Sequence, residues 1–157
     1  MATKSLNNID HKDLKVDVRP HKRYGDFVNC ALVFTTEYPE LHKEFPILIH
    51  KNPDSQELSS HVILGLEKDE NLFIKDHEWQ TQSIPATLAR GPFSIGYHPS
   101  EQDSEEVLIM VDEADPRCGV DDGQAVYLPY GGETPYLEYI KKTLQKIENG
   151  FETDRVF

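Results

Sequence analysis

Apolar residues occur along this chain only in short runs, and no other feature constrains its fold as much. The longest runs, residues 30–34, 46–49 and 62–66, are strand-sized. A membrane-spanning helix needs roughly 20 such residues in a row. Turn residues separate the runs. Residues 27–35 (FVNCALVFT) are rich in strand formers and predict a buried strand. Residues 38–44 predict a short helix, ended by Pro46. Residues 47–51 and 61–66 predict two strands, joined as a hairpin through Asn52-Pro53-Asp54-Ser55-Gln56. Further strands are expected at 71–74, 93–97, 107–111 and 125–128. The last follows Asp121-Asp122-Gly123, and an Asp-Gly pair before an apolar run signals a hairpin turn.

One segment departs from this pattern. Leu137, Ile140, Leu144 and Ile147 recur at steps of three and four, the stripe of an amphipathic helix. Thr134 suits its cap and Pro135 its first position. Lys141, Lys142 and Lys146 fall in its second half, where the helix dipole favours cations. Gly150 is expected to stop it. The fold class that follows is α+β: a mostly antiparallel sheet or partial barrel with a C-terminal amphipathic helix. The 157 residues contain no internal repeat, so one domain over 1–157 is expected.

Charge narrows the ligand classes. Sixteen Lys+Arg against 28 Asp+Glu give a net charge of −12. That sign disfavours nucleic acid and anionic membrane surfaces as partners. The opening MATKSLNNIDHKDLKV has no apolar core of a secretory signal, so the cytoplasm is the expected location, without membrane insertion. Two cysteines are too few for a disulfide scaffold. Cys30, inside an apolar run, is expected as a buried thiol. Cys118 follows Arg117 in a polar turn. An Arg can lower a thiol pKa, which admits a reactive thiolate, but no His is paired with it in the sequence.

Candidate chemistry is sparse. His11-Lys12-Asp13 would place two ligands on one face of a strand. Asp76-His77-Glu78 forms a dense cluster before Trp79, the single tryptophan. Neither has the spacing of a zinc site, and His77 is expected as an exposed turn residue. His21, His42, His50 and His61 are scattered and read as surface or half-buried residues. Asp112-Glu113-Ala114-Asp115 fails the pattern of a calcium loop and reads as an acidic loop between strands. Gly131-Gly132-Glu133-Thr134-Pro135 opens the helix, where free amides can bind anions. It lacks a Walker lysine and contains Glu133, so the glycines are expected to make the turn and Thr134 the cap. Neither Gly-x-Ser-x-Gly nor Ser-x-x-Lys is present. Arg90 begins a turn, Arg90-Gly91-Pro92-Phe93, where an ion pair is expected ahead of two-pronged carboxylate binding.

Read in order, these segments resemble the bacterial SapC family. Leu6-Asn7-Asn8, His11, Asp13-Leu14 and Val16 resemble its opening, and Tyr24-Gly25 follows. Phe45-Pro46-Ile47 stands where the family has Tyr-Pro-Ile. Leu64-Gly65-Leu66 and Glu70-Asn71-Leu72-Phe73 resemble its Leu-Gly-Leu and Gly-Glu-Asn-Leu-Phe segments, with Asp69 in place of the Gly. Trp79, Ile84-Pro85-Ala86, Arg90, Pro92-Phe93 and Ile95-Gly96 fit the next block. Pro116-Arg117, Gly132 and Thr134-Pro135-Tyr136-Leu137-Glu138 fit the last. The resemblance covers nearly the whole chain. Members usually run past the point where Arg155-Val156-Phe157 ends this one, about where a further helix would begin, so their C-terminal part is expected to be lacking. The resemblance implies an accessory role. The family name comes from a surface-layer gene cluster, and the unrelated transporter permease of the same name is not meant. Many members are encoded beside TonB-dependent receptors and flavin-dependent tryptophan-halogenase-like proteins, which implies the handling of peptides or aromatic compounds. No settled catalytic residues come with it.

Three functional readings follow. The first is a non-enzymatic accessory protein that binds a protein or small-molecule partner through a sheet surface or cleft. Its candidate binding residues are Trp79, Arg90, His11 and Asp13, because Trp and Arg are enriched at binding hot spots. The second is a metal-dependent, non-haem iron-like enzyme with His11, Asp13 and His77 gathered as ligands. The third is a structural or assembly subunit, for which a homo-oligomer stays open. No cofactor is expected and no residue is assigned to a metal.

Overall fold

The computed structural model describes residues 3–99 and 105–155. In chain order its elements are β1 (Thr3–Ser5), β2 (Lys15–Val16), β3 (Cys30–Val33), α1 (Tyr38–Leu41), β4 (Ile47–Lys51), β5 (Leu58–Ile63), β6 (Ile74–Lys75), β7 (Glu78–Trp79), α2 (Ala86–Ala89), β8 (Phe93–Pro99), β9 (Glu105–Asp112), β10 (Gln124–Ala125) and α3 (Pro135–Asp154). Every strand pairing is antiparallel. The class is α+β, as expected, and the described residues form no closed barrel. No helix among them is long and apolar enough to cross a membrane. The expected start of a further helix at residues 155–157 falls mostly outside the described residues. The chain divides into two compact units. One takes Met1–Val18 and Arg90–Leu144, the other Arg19–Ala89 and Gln145–Phe157.

The first unit holds a three-stranded sheet in the order β1-β9-β8 and a two-stranded one of β10 and β2. Its core joins Val16, Phe93, Val111 and Val126 to Leu137, Ile140 and Leu144, the stripe that the helical spacing predicts. Thr134 caps α3 as expected. Its hydroxyl accepts from the Leu137 amide at 3.2 Å and donates to the Ala125 carbonyl at 2.7 Å. The Asp122-Gly123 signal is corrected. Strand β10 pairs with β2 across most of the chain, in the register Gln124↔Val16, and closes no local hairpin. Gly123 permits close approach instead: a Cβ there would lie 2.8 Å from the Val16 backbone.

The second unit is built on a three-stranded sheet in the order β3-β5-β4. The expected hairpin is present, with Ile47↔Val62 and Lys51↔Leu58 in register. Ala31, Val33, Leu41, Phe45, Val62 and Leu64 form the core, with Phe73, Trp79 and Leu88 packed against it. The 27–35 strand is shorter than expected and buried on one face only. Alternation turns Ala31 and Val33 inward, so Cys30 is exposed, not buried as expected. The 71–74 strand shrinks to β6 because the Asn71 side chain replaces ladder pairing. Its Nδ2 donates to the Asp26 carbonyl at 3.0 Å and its Oδ1 accepts from the Phe73 amide at 3.0 Å. Gly150 does not stop α3. It sits inside the helix and makes room for the buried Phe34 ring, into which any Cβ would run.

Candidate functional site

In the first unit, residues 7–14 fold into a compact turn organised by one asparagine. The Asn7 Oδ1 accepts from the amides of Ile9 at 3.0 Å and Asp10 at 2.8 Å, and its Nδ2 donates to the Asp10 carboxylate at 3.0 Å. His11 anchors this turn. Its side chain is only 3% exposed, its Nδ1 accepts from the Asn7 amide at 3.2 Å, and its Nε2 lies 3.2 Å from the Glu113 Oε1. The other Glu113 oxygen meets the Lys4 Nζ at 2.7 Å. The hydrogen bond from Lys4 holds the Glu113 carboxyl below its ordinary value and Lys4 above its own.

A second braced turn faces this one. Gly131 donates to the Leu128 carbonyl at 2.9 Å and Leu128 donates to the Gly132 carbonyl at 2.7 Å. Gly131 takes φ +88°, the left-handed conformation that such a turn requires and glycine supplies without strain. Glu133 pairs with Lys141 on α3. The glycines thus make the turn, as expected. The Asn8 Nδ2 donates to the Gly131 carbonyl at 3.2 Å and ties the two turns together. Next in sequence to the two bonded residues are Ile9, 79% exposed, and Tyr130, which is fully exposed, and Leu128, two residues before Tyr130, is 47% exposed. Large apolar side chains are thus held in water by rigid, internally bonded backbone. Composition did not single them out. The signals available were Asn7-Asn8 and Pro129-Tyr130-Gly131-Gly132, both turn formers.

The residues named from the sequence fall in different places. His11 is buried, while the Asp13 side chain is 90% exposed. They lie in a turn, not on one face of a strand. Arg90 donates from Nη1 to the Phe93 carbonyl at 2.9 Å and clamps the turn into β8. Trp79 belongs to the second unit, half-buried against its core. His77 is an exposed turn residue, as expected, between β6 and β7. It and Asp76 both have positive φ, and its ring stacks on His21 with centroids 5.6 Å apart. Among the described residues, no group of three or more His, Cys, Asp or Glu side chains could hold a metal ion. Burial, then the carboxylates of Asp115 and Asp112, push the Cys118 thiol up to about 11 against the weaker pull of Arg117, so it is not a reactive thiolate. Burial likewise raises the Tyr136 hydroxyl. The acidic loop after β9 is a turn in which Asp112 and Asp115 accept backbone amides, and its Glu113 partners His11.

Of the residues behind the resemblance, Asn7, Asn8 and His11 build the first turn and Gly132 the second, while Thr134 caps α3. No curated protein and no solved structure matches the chain. A family model does, SapC, over residues 6–157. The chain therefore belongs to the SapC family.

Proposed function

We propose that this SapC-family chain is a non-enzymatic accessory protein, and that its partner is a protein docked on the Ile9–Leu128–Tyr130 face. The observation that carries the reading is Tyr130, fully exposed on a braced turn. Tyrosine is a preferred hot-spot anchor, and a preordered turn loses little entropy on binding. The partner offers an apolar pocket for Tyr130 and a basic rim, since a chain of net charge −12 attracts positive surfaces. Asp13, exposed in the same turn as Ile9, is the carboxylate offered to that basic rim. His11 is a positioning residue that holds the turn carrying Ile9. Arg90 clamps the turn into β8, and Trp79 packs on the core of the second unit. Residues 1–157 act as one domain in this reading. A cytoplasmic role in peptide or aromatic-compound uptake and processing rests on the family resemblance.

The test is comparative purification of the tagged chain and of its Ile9→Ser/Tyr130→Ala double variant from the cells that make it. At least one protein partner should fall tenfold or more in the variant, with the melting temperature unchanged. An unchanged set of partners contradicts the reading.

A further inference from the structure

Strand β4 lies at the end of the order β3-β5-β4 and, among the described residues, pairs with β5 alone. The flanking bonds fix which backbone groups face outward. The Pro46 carbonyl accepts from Ile63 and the Asn52 amide donates to Glu57, both at 2.9 Å. Antiparallel bonding alternates along a strand, so Leu48 and His50 bond to β5, while Ile47, Ile49 and Lys51 aim their N–H and C=O groups at the open edge. The side chains are open too: Leu48 is 58% exposed on one face and Ile49 67% on the other. Natural sheets protect such edges with charge, proline or bulges. Here the prolines, Pro46 and Pro53, lie outside the strand and leave all five of its residues available.

The strands of this sheet lack the acidic residues that dominate the chain, and their one formal charge is Lys51. Strands β3, β4 and β5 contain no carboxylate and carry His50, Lys51 and His61, in a chain with 28 Asp+Glu. The His50 and His61 rings lie 6.2 Å apart, and His61 stands opposite Leu48. We propose that β4 accepts an extended acidic segment of another protein as a fourth strand. Main-chain bonds to Ile47, Ile49 and Lys51 supply affinity, and His50, Lys51 and His61 select carboxylates. A second copy of this chain is a poor occupant, because its own β4 edge would bring another His50 and Lys51 and no carboxylate.

The probe is an end-blocked, fluorescently labelled heptapeptide of alternating glutamate and valine, titrated against the full chain and read by anisotropy. The control has lysine in place of glutamate. The glutamate peptide should bind at least tenfold more tightly. Ile49→Pro should cut that binding tenfold or more, because proline removes an outward donor that the β5 ladder does not use. His50→Glu with Lys51→Glu should reverse the peptide preference, which decides the matter even if the proline variant misfolds. Equal binding of the two peptides, binding of neither, or an unreversed preference overturns the proposal. So does concentration-dependent dimerisation abolished by Ile49→Pro, which would assign the edge to a second copy.

Discussion

In the first unit, Ile9, Leu128 and Tyr130 stand out from turns whose backbone groups are bonded within the turn. In the second, Leu48 and Ile49 stand out from a strand with one side of its ladder open. A partner can use only side chains at the first surface, so recognition there depends on shape. At the second it can also use main chain, so recognition tolerates sequence and is tuned by charge. The two units also differ in what holds their loops. A histidine, His11, does so in the first, and a buried carboxylate, Glu37, in the second. The Glu37 oxygens accept from the Phe34 amide at 3.0 Å and the Ala86 amide at 2.9 Å.

Glu37→Ala should have the largest effect. It orphans two buried amides at about 1–3 kcal/mol each, a loss of about 2–6 kcal/mol in urea unfolding. His11→Ala should cost about 1–3 kcal/mol by orphaning the Asn7 amide. It should also weaken partner capture, whereas Glu37→Ala tested under folding conditions should not. If both variants weaken capture equally, His11 has no positioning role. Gly150→Ala should destabilise by about 1 kcal/mol, because overpacking against Phe34, about 1–3 kcal/mol, outweighs a gain of about 1 kcal/mol in helix propensity.

Acid should separate the units by sign. The Lys4 hydrogen bond lowers Glu113 below 4.5, so its contribution is present above about pH 4.5 and is lost as pH falls through the lower folded value. Burial raises Glu37 above 4.5, so its contribution is full below pH 4.5 and is lost as pH rises through the higher folded value. Glu113→Gln should flatten the acid-side fall in unfolding free energy, and Glu37→Gln should flatten the opposing slope. Slopes of the same sign in the two variants would refute the assignment.

Legibility in the sequence followed the range of the interaction. Strand β4 and the Thr134-Pro135 helix start were readable because their signals are local. Cys30, Gly123 and Gly150 were misread because each is decided by a distant neighbour: the opposite sheet face, Val16 and Phe34. The site shows the same division. His11 was noticed as chemistry, but its partner Glu113 lies 102 residues away. Nothing local marks Tyr130, because the bond that braces its turn comes from Asn8, 123 residues from Gly131.

The smallest stability effect accompanies the central claim. Tyr130→Ala should change unfolding free energy by no more than about 0.5 kcal/mol, as for an exposed side chain without packing. The most direct measurement replaces Tyr130, and separately the exposed Tyr139 on α3, with a photoreactive phenylalanine analogue and irradiates living cells. A discrete crosslinked protein from position 130, absent from position 139, is the expected result. Identical products from both positions, or none from position 130, would contradict a binding face built on Tyr130.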